Sequence, residues 1–214
     1  MLPEPAAHGH ASHHPALAHH FDNLAQQKEA STLGMWVFLV TEVLFFGGLF
    51  AAYSIYRGWY PDAFAAASHH LDVVLGSVNT VALIGSSLTM ALAVHAAQTG
   101  QRRLLMLFLA VTMVLGCVFL GIKSVEYLHK FEEGLVPGAS FRFEDPAFQQ
   151  HAQVFFSLYF MMTGLHAIHM IIGLGIMTWM LVWAWNGTIT AEYASPIEIS
   201  GLYWHFVDIV WIYL

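Results

Sequence analysis

The stretch TLGMWVFLVTEVLFFGGLFAAYSIY, residues 32–56, is an unbroken apolar run that carries a single charged side chain, Glu42. A helix needs about 20 apolar residues to cross the hydrocarbon core of a bilayer, so this run predicts a transmembrane helix. An ionisable group at that depth is costly and tends to serve a purpose. The stretch therefore raises two questions: which fold surrounds it, and what Glu42 does there.

Four further apolar runs follow the first, at residues 73–97, 104–125, 154–183 and 201–214. The chain is 57% apolar and only 10% charged, whereas soluble domains carry about 25% charged residues. We predict an all-α, polytopic membrane protein with five transmembrane helices in one bundle. The last run is too short to span about 30 Å at 1.5 Å per residue, so we expect the natural chain to continue beyond Leu214.

Residues 1–30 differ from the rest in being polar and rich in alanine, histidine and proline. They hold six of the fourteen histidines: His8, His10, His13, His14, His19 and His20. They lack the basic start and apolar core of a cleavable signal peptide. We predict a flexible tail over residues 1–30, with weak metal scavenging as the alternative, and a membrane domain over residues 31–214.

Composition excludes several classes of function. The seven lysines and arginines are scattered and form no basic patch, so the sequence predicts no nucleic-acid partner. The single cysteine, Cys117, excludes an internal disulfide and any multi-cysteine metal site. The cations are shared almost evenly between the loops of the two sides, so the positive-inside rule does not set the orientation.

Three roles for Glu42 remain open from the sequence. It could clamp a neighbouring helix by a hydrogen bond, contact a lipid head group or a bound water, or move protons. Small residues at four-residue spacing, Gly47 with Ala51 and Gly48 with Ala52, predict that a neighbouring backbone comes close to the same helix. The same close approach, with hydrogen bonds across the seam between helices, is predicted for small residues on the second and fourth apolar runs: Asn79, Ser86, Ser87, Gly164, Gly173 and Gly175.

Two histidines, His166 and His169, lie one turn apart in GLHAIHM. The spacing is compatible with hydrogen-bonded packing, with a metal or haem ligand pair, or with lipid or partner contact. No carboxylate adjoins them in the sequence, and we favour packing. In LYWHFVDIVW, His205 and Asp208 are also one turn apart, and we predict that they pair and hold the last helix to its neighbours.

Glu126 lies in KSVEYLHK, where the third helix is expected to reach the membrane surface. Lys123 precedes it by three residues and Lys130 follows it by four, which predicts a solvated strip of ion pairs on one helical face. Tyr127 suits the aromatic belt at the interface.

No catalytic set converges from these residues. The sequence contains no nucleophile–base–orienter arrangement, no phosphate-binding glycine loop and no complete redox-metal ligand set. The residues alone favour an accessory membrane subunit, with a small transporter or proton channel as the alternative.

Five stretches together carry a family resemblance: LGMWVFLVTEVLFFGGLFAAY, SVNTVALIGSSLTMALA, IKSVEYLHKF with GLVPG, FFSLYFMMTGLHAIHMIIG and GLYWHFVDIVW. In this order they resemble subunit III of the haem–copper respiratory oxidases, cytochrome c oxidase in particular. The resemblance covers the chain from Thr32 to its last residue. It matches the short, five-helix form, which lacks the first two of seven helices. Ala51 and Ala52 depart from the family pattern, which has an aromatic residue there.

The resemblance implies a non-redox role within an enzyme complex. Such subunits carry no haem or copper, which reside on partner subunits. They pack on subunit I beside subunit II, bind phospholipid, and support sustained proton uptake and oxygen reduction. A small fourth subunit and a larger respiratory supercomplex are further partners that the resemblance allows. An aa3- or caa3-type cytochrome c oxidase is the expected complex, with a quinol oxidase or the related nitric oxide reductase accessory protein as alternatives.

The resemblance also implies placements for single residues. The membrane would be the bacterial inner membrane, with a cytoplasmic amino terminus. Glu42 matches an intramembrane carboxyl of the family that reacts with hydrophobic carbodiimides and is not the pumping group. Buried polar couplers would be Glu42, His166, His169, His205 and Asp208, with Glu126 near an interface.

Overall fold

The computed structural model describes residues 17–214 and contains only helices over that range. The six helices are α1 (Leu24–Trp59), α2 (Pro61–Ser68), α3 (Val73–Gln98), α4 (Arg102–Glu132), α5 (Gln149–Asn186) and α6 (Ser195–Tyr213). The prediction of an all-α fold is confirmed.

Four of the described helices, α1, α3, α4 and α5, are long and apolar enough to cross a membrane. The predicted fifth span corresponds to α6, which is not among these four. This helix begins at Ser195, earlier than the apolar run, because Pro196 fits its first turn, where a missing N–H breaks no hydrogen bond. Its 19 residues extend about 28 Å. The predicted fifth helix is therefore present as a shorter helix, and four of the five predicted spans have the length and hydropathy of a membrane-crossing helix over the described residues.

α1 also begins earlier than its apolar run. The side chain of Asn23 accepts a hydrogen bond from the Gln26 amide at 2.8 Å and caps the helix. Residues 24–30, predicted as part of a flexible tail, are therefore helical. The tail prediction for residues 1–16 lies outside the described residues.

A short helix, α2, follows α1 where the sequence predicted only a chain break. Pro61 opens it, and its buried Phe64 and Ala67 pack against Phe155 and Phe156 of α5 in a second apolar cluster. This cluster closes the end of the bundle opposite the start of α1.

The bundle is ordered around a tightly packed pair, α3 and α4, with α6 lying between α3 and α5. α1 lies at the periphery, and only Leu39 and Phe46 on it are buried. At the end where α1 starts, Arg102 joins α4 to α5: its Nε donates to the Ala184 carbonyl at 2.7 Å, and Nη2 donates to the Trp185 carbonyl.

Close packing occurs at one of the predicted glycines, Gly173, but not at Gly47 or Gly48. A Cβ at Gly47 or Gly48 would meet no atom within 4 Å, because both face outward from the peripheral α1. The prediction of close approach there is wrong for the described chain. The tight positions are Gly116 and Gly173, where a Cβ would lie 3.0 Å and 2.8 Å from the ring of Trp204.

Candidate functional site: polar groups between the helices

Glu42 of α1 lies against His169 of α5. Its Oε2 is 3.2 Å from the Nε2 of His169, and each side chain is 16% exposed. The two atoms are close but do not make a well-aligned hydrogen bond. The ring of Phe46 covers the histidine at a centroid distance of 5.4 Å. The carboxylate that the sequence did not place beside the histidines therefore comes from a helix more than 120 residues away.

The other nitrogen of His169 is already engaged. Its Nδ1 is 2.8 Å from the Leu165 carbonyl, and a carbonyl can only accept, so Nδ1 carries a hydrogen. Nε2 then presents to Glu42 either a lone pair, in the neutral ring, or a second N–H, in the protonated ring. The Glu42–His169 pair can thus hold one proton between α1 and α5, on the acid or on the ring. The Tyr203 hydroxyl donates to the His169 carbonyl at 2.8 Å and ties α6 to the same turn.

His166 has a different environment from its neighbour. It is 1% exposed, and neither ring nitrogen has a hydrogen-bond partner. The rings of Phe119 and Trp211 lie 5.3 and 5.4 Å from it. The two histidine rings lie in different surroundings, so their geometry does not suit a pair of ligands to one metal or haem.

The predicted pairing of His205 with Asp208 is wrong. His205 Nδ1 lies 2.7 Å from Oγ of Ser87 on α3. Asp208 is 5% exposed, and neither of its oxygens makes a hydrogen bond of normal geometry, although Ser87 lies beside it. Side chains one turn apart can pair, but Ser87 from another helix competes for the histidine.

Two tryptophans attach α6 to α3, one of them through Ser86, which the sequence predicted to hydrogen-bond across a helix seam. The indole Nε1 of Trp204 donates to Ser86 Oγ at 2.8 Å, and that of Trp211 donates to Thr80 Oγ1 at 3.2 Å. The tryptophans are seven residues apart and their acceptors six, in opposite chain directions. The similar spacing of the indole donors and the hydroxyl acceptors is the feature of the sequence from which this pairing of α6 with α3 could have been predicted.

Glu126 belongs to a buried network rather than a solvated strip. Lys123 and Glu126 are each 6% exposed, and Lys123 Nζ donates to Glu126 Oε2 at 2.9 Å. Tyr159 of α5 contacts both: its hydroxyl donates to Glu126 Oε1 and accepts from Lys123 at 3.0 Å. The rings of Tyr127, Tyr159 and Trp211 surround the ammonium at 5.1 to 5.5 Å, within cation–π range.

Lys130 pairs with Glu133 at 2.7 Å, not with Glu126. It is itself 6% exposed, so the predicted solvated character fails here too. α5 packs against α4 and contributes to this burial. A polar cavity of about 330 Å³ lies beside the network. Its lining includes Glu126, Glu133, Lys130, His129 and the turn at residues 69–72.

Metal chemistry was a minor alternative for the histidines. Over residues 17–214, no group of three or more histidine, cysteine, aspartate or glutamate side chains is arranged to hold a metal ion. The described contacts instead connect pairs of helices: α1 with α5, α3 with α6, and α4 with α5.

Comparison with known proteins agrees with this architecture. The family model described as Cytochrome c oxidase subunit III matches residues 17–214. Cytochrome c oxidase subunit 3 of Corynebacterium diphtheriae is 34% identical over 183 residues, covering 85% of this chain and 83% of the relative. The corresponding subunit of Alkalihalophilus pseudofirmus is also 34% identical over 183 residues, covering 85% and 82%. Quinol oxidase subunit 3 of Bacillus subtilis is 31% identical over 187 residues, covering 85% and 82%.

Proposed function

Because the chain belongs to the cytochrome c oxidase subunit III family, we propose that it is the non-redox subunit III of an aa3- or caa3-type cytochrome c oxidase. The observation that carries the proposal is the family match over residues 17–214. The membrane would be the bacterial inner membrane, with the amino terminus on the cytoplasmic side. Haem and copper would reside on partner subunits, and this chain would contact subunit I, with subunit II nearby.

The geometry supports a structural role for the family's intramembrane acid. Glu42 adjoins His169, whose ring packs against Phe46, and over residues 17–214 the ion pairs of Glu42 include no second carboxyl. A relay needs successive groups within hydrogen-bond reach. In our proposal Glu42 therefore holds α1 against α5, where α1 has few other buried contacts.

A bound phospholipid is part of the proposal. A cavity of about 220 Å³ lies between α1, α5 and the end of α6, with walls that include Phe50, Phe155 and Met162. Arg57 lines it and sits over the ring of Tyr53 at 6.0 Å. Apolar walls suit an acyl chain, and a guanidinium suits a phosphate.

A quinol oxidase is the second candidate complex, and the Bacillus subtilis relative is the observation that favours it. Electron donors bind other subunits in this proposal, so the two candidates share every role assigned to this chain.

Affinity purification of the tagged chain from its native membrane tests the proposal. We expect haem and copper to co-purify in a partner chain, and oxygen consumption to be supported by reduced cytochrome c. Consumption supported only by a quinol would replace the cytochrome c assignment with the second candidate. Purification of the chain alone, free of any haem-containing partner, would refute both.

A further inference from the structure

A groove of about 320 Å³ runs between α3 and α6 on the outer face of the bundle. Its apolar rim consists of residues that are each more than half exposed: Ile84, Leu88, Ile209 and Ile212. The groove is also lined by polar side chains: Thr80 and, as a group of three, Ser87, His205 and Asp208. None of the contacts in the proposed function uses this polar group.

The polar group lies near the middle of the membrane. The Gln98 amide donates to Glu198 Oε1 at 2.8 Å, which aligns the end of α3 with the start of α6. Ser87 lies eleven residues from Gln98 and Asp208 ten residues from Glu198. At 1.5 Å per residue, both are about 15 Å from that end, half of a hydrocarbon core about 30 Å thick. Lipid head groups and bulk water do not reach this depth.

Asp208 has no hydrogen bond of normal geometry at that depth, although the Ser87 hydroxyl lies beside it. Neither carboxyl oxygen makes a hydrogen bond, and the side chain is 5% exposed. The Ser87 hydroxyl also contacts His205 Nδ1 at 2.7 Å, so it is shared between the two side chains. A buried acid without a partner is expensive in a membrane, and such groups pair with protein or line a functional surface.

We propose that the α3–α6 groove receives a transmembrane helix of another oxidase subunit, which presents an amide, ammonium or guanidinium donor to Asp208. This inference rests on the proposed function. The unpaired carboxyl supplies the charge complementarity, and the mid-membrane depth restricts its partner to a protein side chain. The isoleucine and leucine rim provides the apolar contact that accompanies polar pairing between membrane helices. Asp208 lines the groove, where the donor would meet it.

Site-specific photocrosslinking in intact membranes tests the location. Leu88→benzoylphenylalanine and Ile209→benzoylphenylalanine place the probe on the groove rim. The matched controls are Val114→benzoylphenylalanine and Ile171→benzoylphenylalanine, which are exposed near mid-helix on α4 and α5. We expect both rim probes to crosslink to another oxidase polypeptide, in at least several-fold higher yield than the controls. Rim adducts with lipid, with a quinone or with a second copy of this chain would overturn the proposal.

Substitution of Asp208 tests the chemistry. We expect Asp208→Leu to increase the loss of this chain from the detergent-purified complex roughly three- to thirtyfold, the range of a hydrogen bond between membrane helices. Asp208→Asn keeps a polar group of the same size and should lose less. Retention of Asp208→Leu at the wild-type level would contradict the inference. Thermal unfolding of the free variants separates loss of docking from misfolding, since a docking defect leaves the folded chain unchanged.

The two proposals fail in distinguishable ways. Co-purification with a haem-containing subunit, combined with crosslinks only from α4 or α5, would leave the proposed function intact and remove the groove as its contact. Absence of co-purification would remove the proposed function itself.

Discussion

Lys123 shows how a charge is accommodated inside this bundle. Its ammonium has a carboxylate at 2.9 Å, a phenol oxygen at 3.0 Å and three aromatic rings around it. Removing both charges of a buried pair is often tolerated, whereas removing one leaves the other without a partner in a medium that solvates it poorly. Glu126 is therefore more important as the counter-charge of Lys123 than as an independent group.

Glu126→Gln should lower the free energy of unfolding by about 3 kcal/mol, the lower end of the range for breaking a buried pair. SDS titration in mixed micelles measures the change. Glu132→Gln is the matched control, since Glu132 is exposed on the same helix and its loss should cost less than about 0.5 kcal/mol. A further variant, Lys123→Met with Glu126→Gln, should recover most of the loss. Equal effects of the two glutamine substitutions would show that the pair is solvated after all.

The sequence predicted the ion pair between Lys123 and Glu126 but not its burial. Lys123 and Glu126 are three residues apart, so their proximity follows from helix geometry. Tyr159, which contacts both, is more than 30 residues away. Its placement depends on how α5 packs against α4, which no local pattern encodes.

At the scale of elements, α6 is held by its tryptophans more than by its charged residues. The ring of Trp204 is 1% exposed and lies between Gly116 of α4 and Gly173 of α5. Its indole nitrogen bonds to Ser86 of α3. The Trp204 side chain thus contacts three other helices. On two of them, the residue that faces the ring must be glycine because a Cβ would lie too close to it.

Gly173→Ala should destabilise the bundle by about 1–3 kcal/mol, because the added methyl would lie 2.8 Å from the Trp204 ring and 3.1 Å from Tyr203. Thermal unfolding in detergent measures the loss. Gly175→Ala is the control on the same helix, since its Cβ meets no atom within 4 Å. It should be neutral or slightly stabilising because alanine favours helix. A neutral Gly173→Ala would mean that Trp204 is not packed against α5.

At the scale of the whole molecule, stability is uneven across the bundle. α3, α4, α5 and α6 share one apolar core, whereas α1 contributes little to it beyond a few contacts. The outward face of α1 is therefore apolar and largely uncovered within this chain, as are the rims of the α3–α6 groove. Lipid or partner subunits must cover these surfaces.

Oxidase assembled without this chain should begin oxygen reduction near the intact rate and then lose activity during turnover. The physical reason is that haem and copper lie elsewhere in our proposal, while this subunit stabilises the core and its lipid. Oxygen consumption followed over successive substrate additions measures the decline, and re-expression of the wild-type chain is the control. Immediate, complete loss of oxygen reduction with haem and copper still bound would contradict the prediction.

The sequence by itself determined the elements. Apolar runs of 20 or more residues must be helices in a bilayer, since unpaired backbone groups are too costly there. The position of α3 followed to within one residue, whereas α1, α4 and α5 extend five to eight residues beyond one end of their apolar runs. It also singled out Glu42, because a carboxyl in a 25-residue apolar run is conspicuous whatever surrounds it.

Only the tertiary structure decided which groups meet. It placed His169 beside Glu42, paired His205 with Ser87 instead of Asp208, and located close packing at Gly173 but not at Gly47. Each outcome depends on the rotation of one helix against another, and a rotation of one residue, about 100°, changes which side chains face each other. Helix periodicity identifies residues that share a face but not the neighbour that the face meets. The neighbour decides whether a buried acid has a partner within this chain, as Glu42 has in His169, or makes no hydrogen bond of normal geometry, as at Asp208.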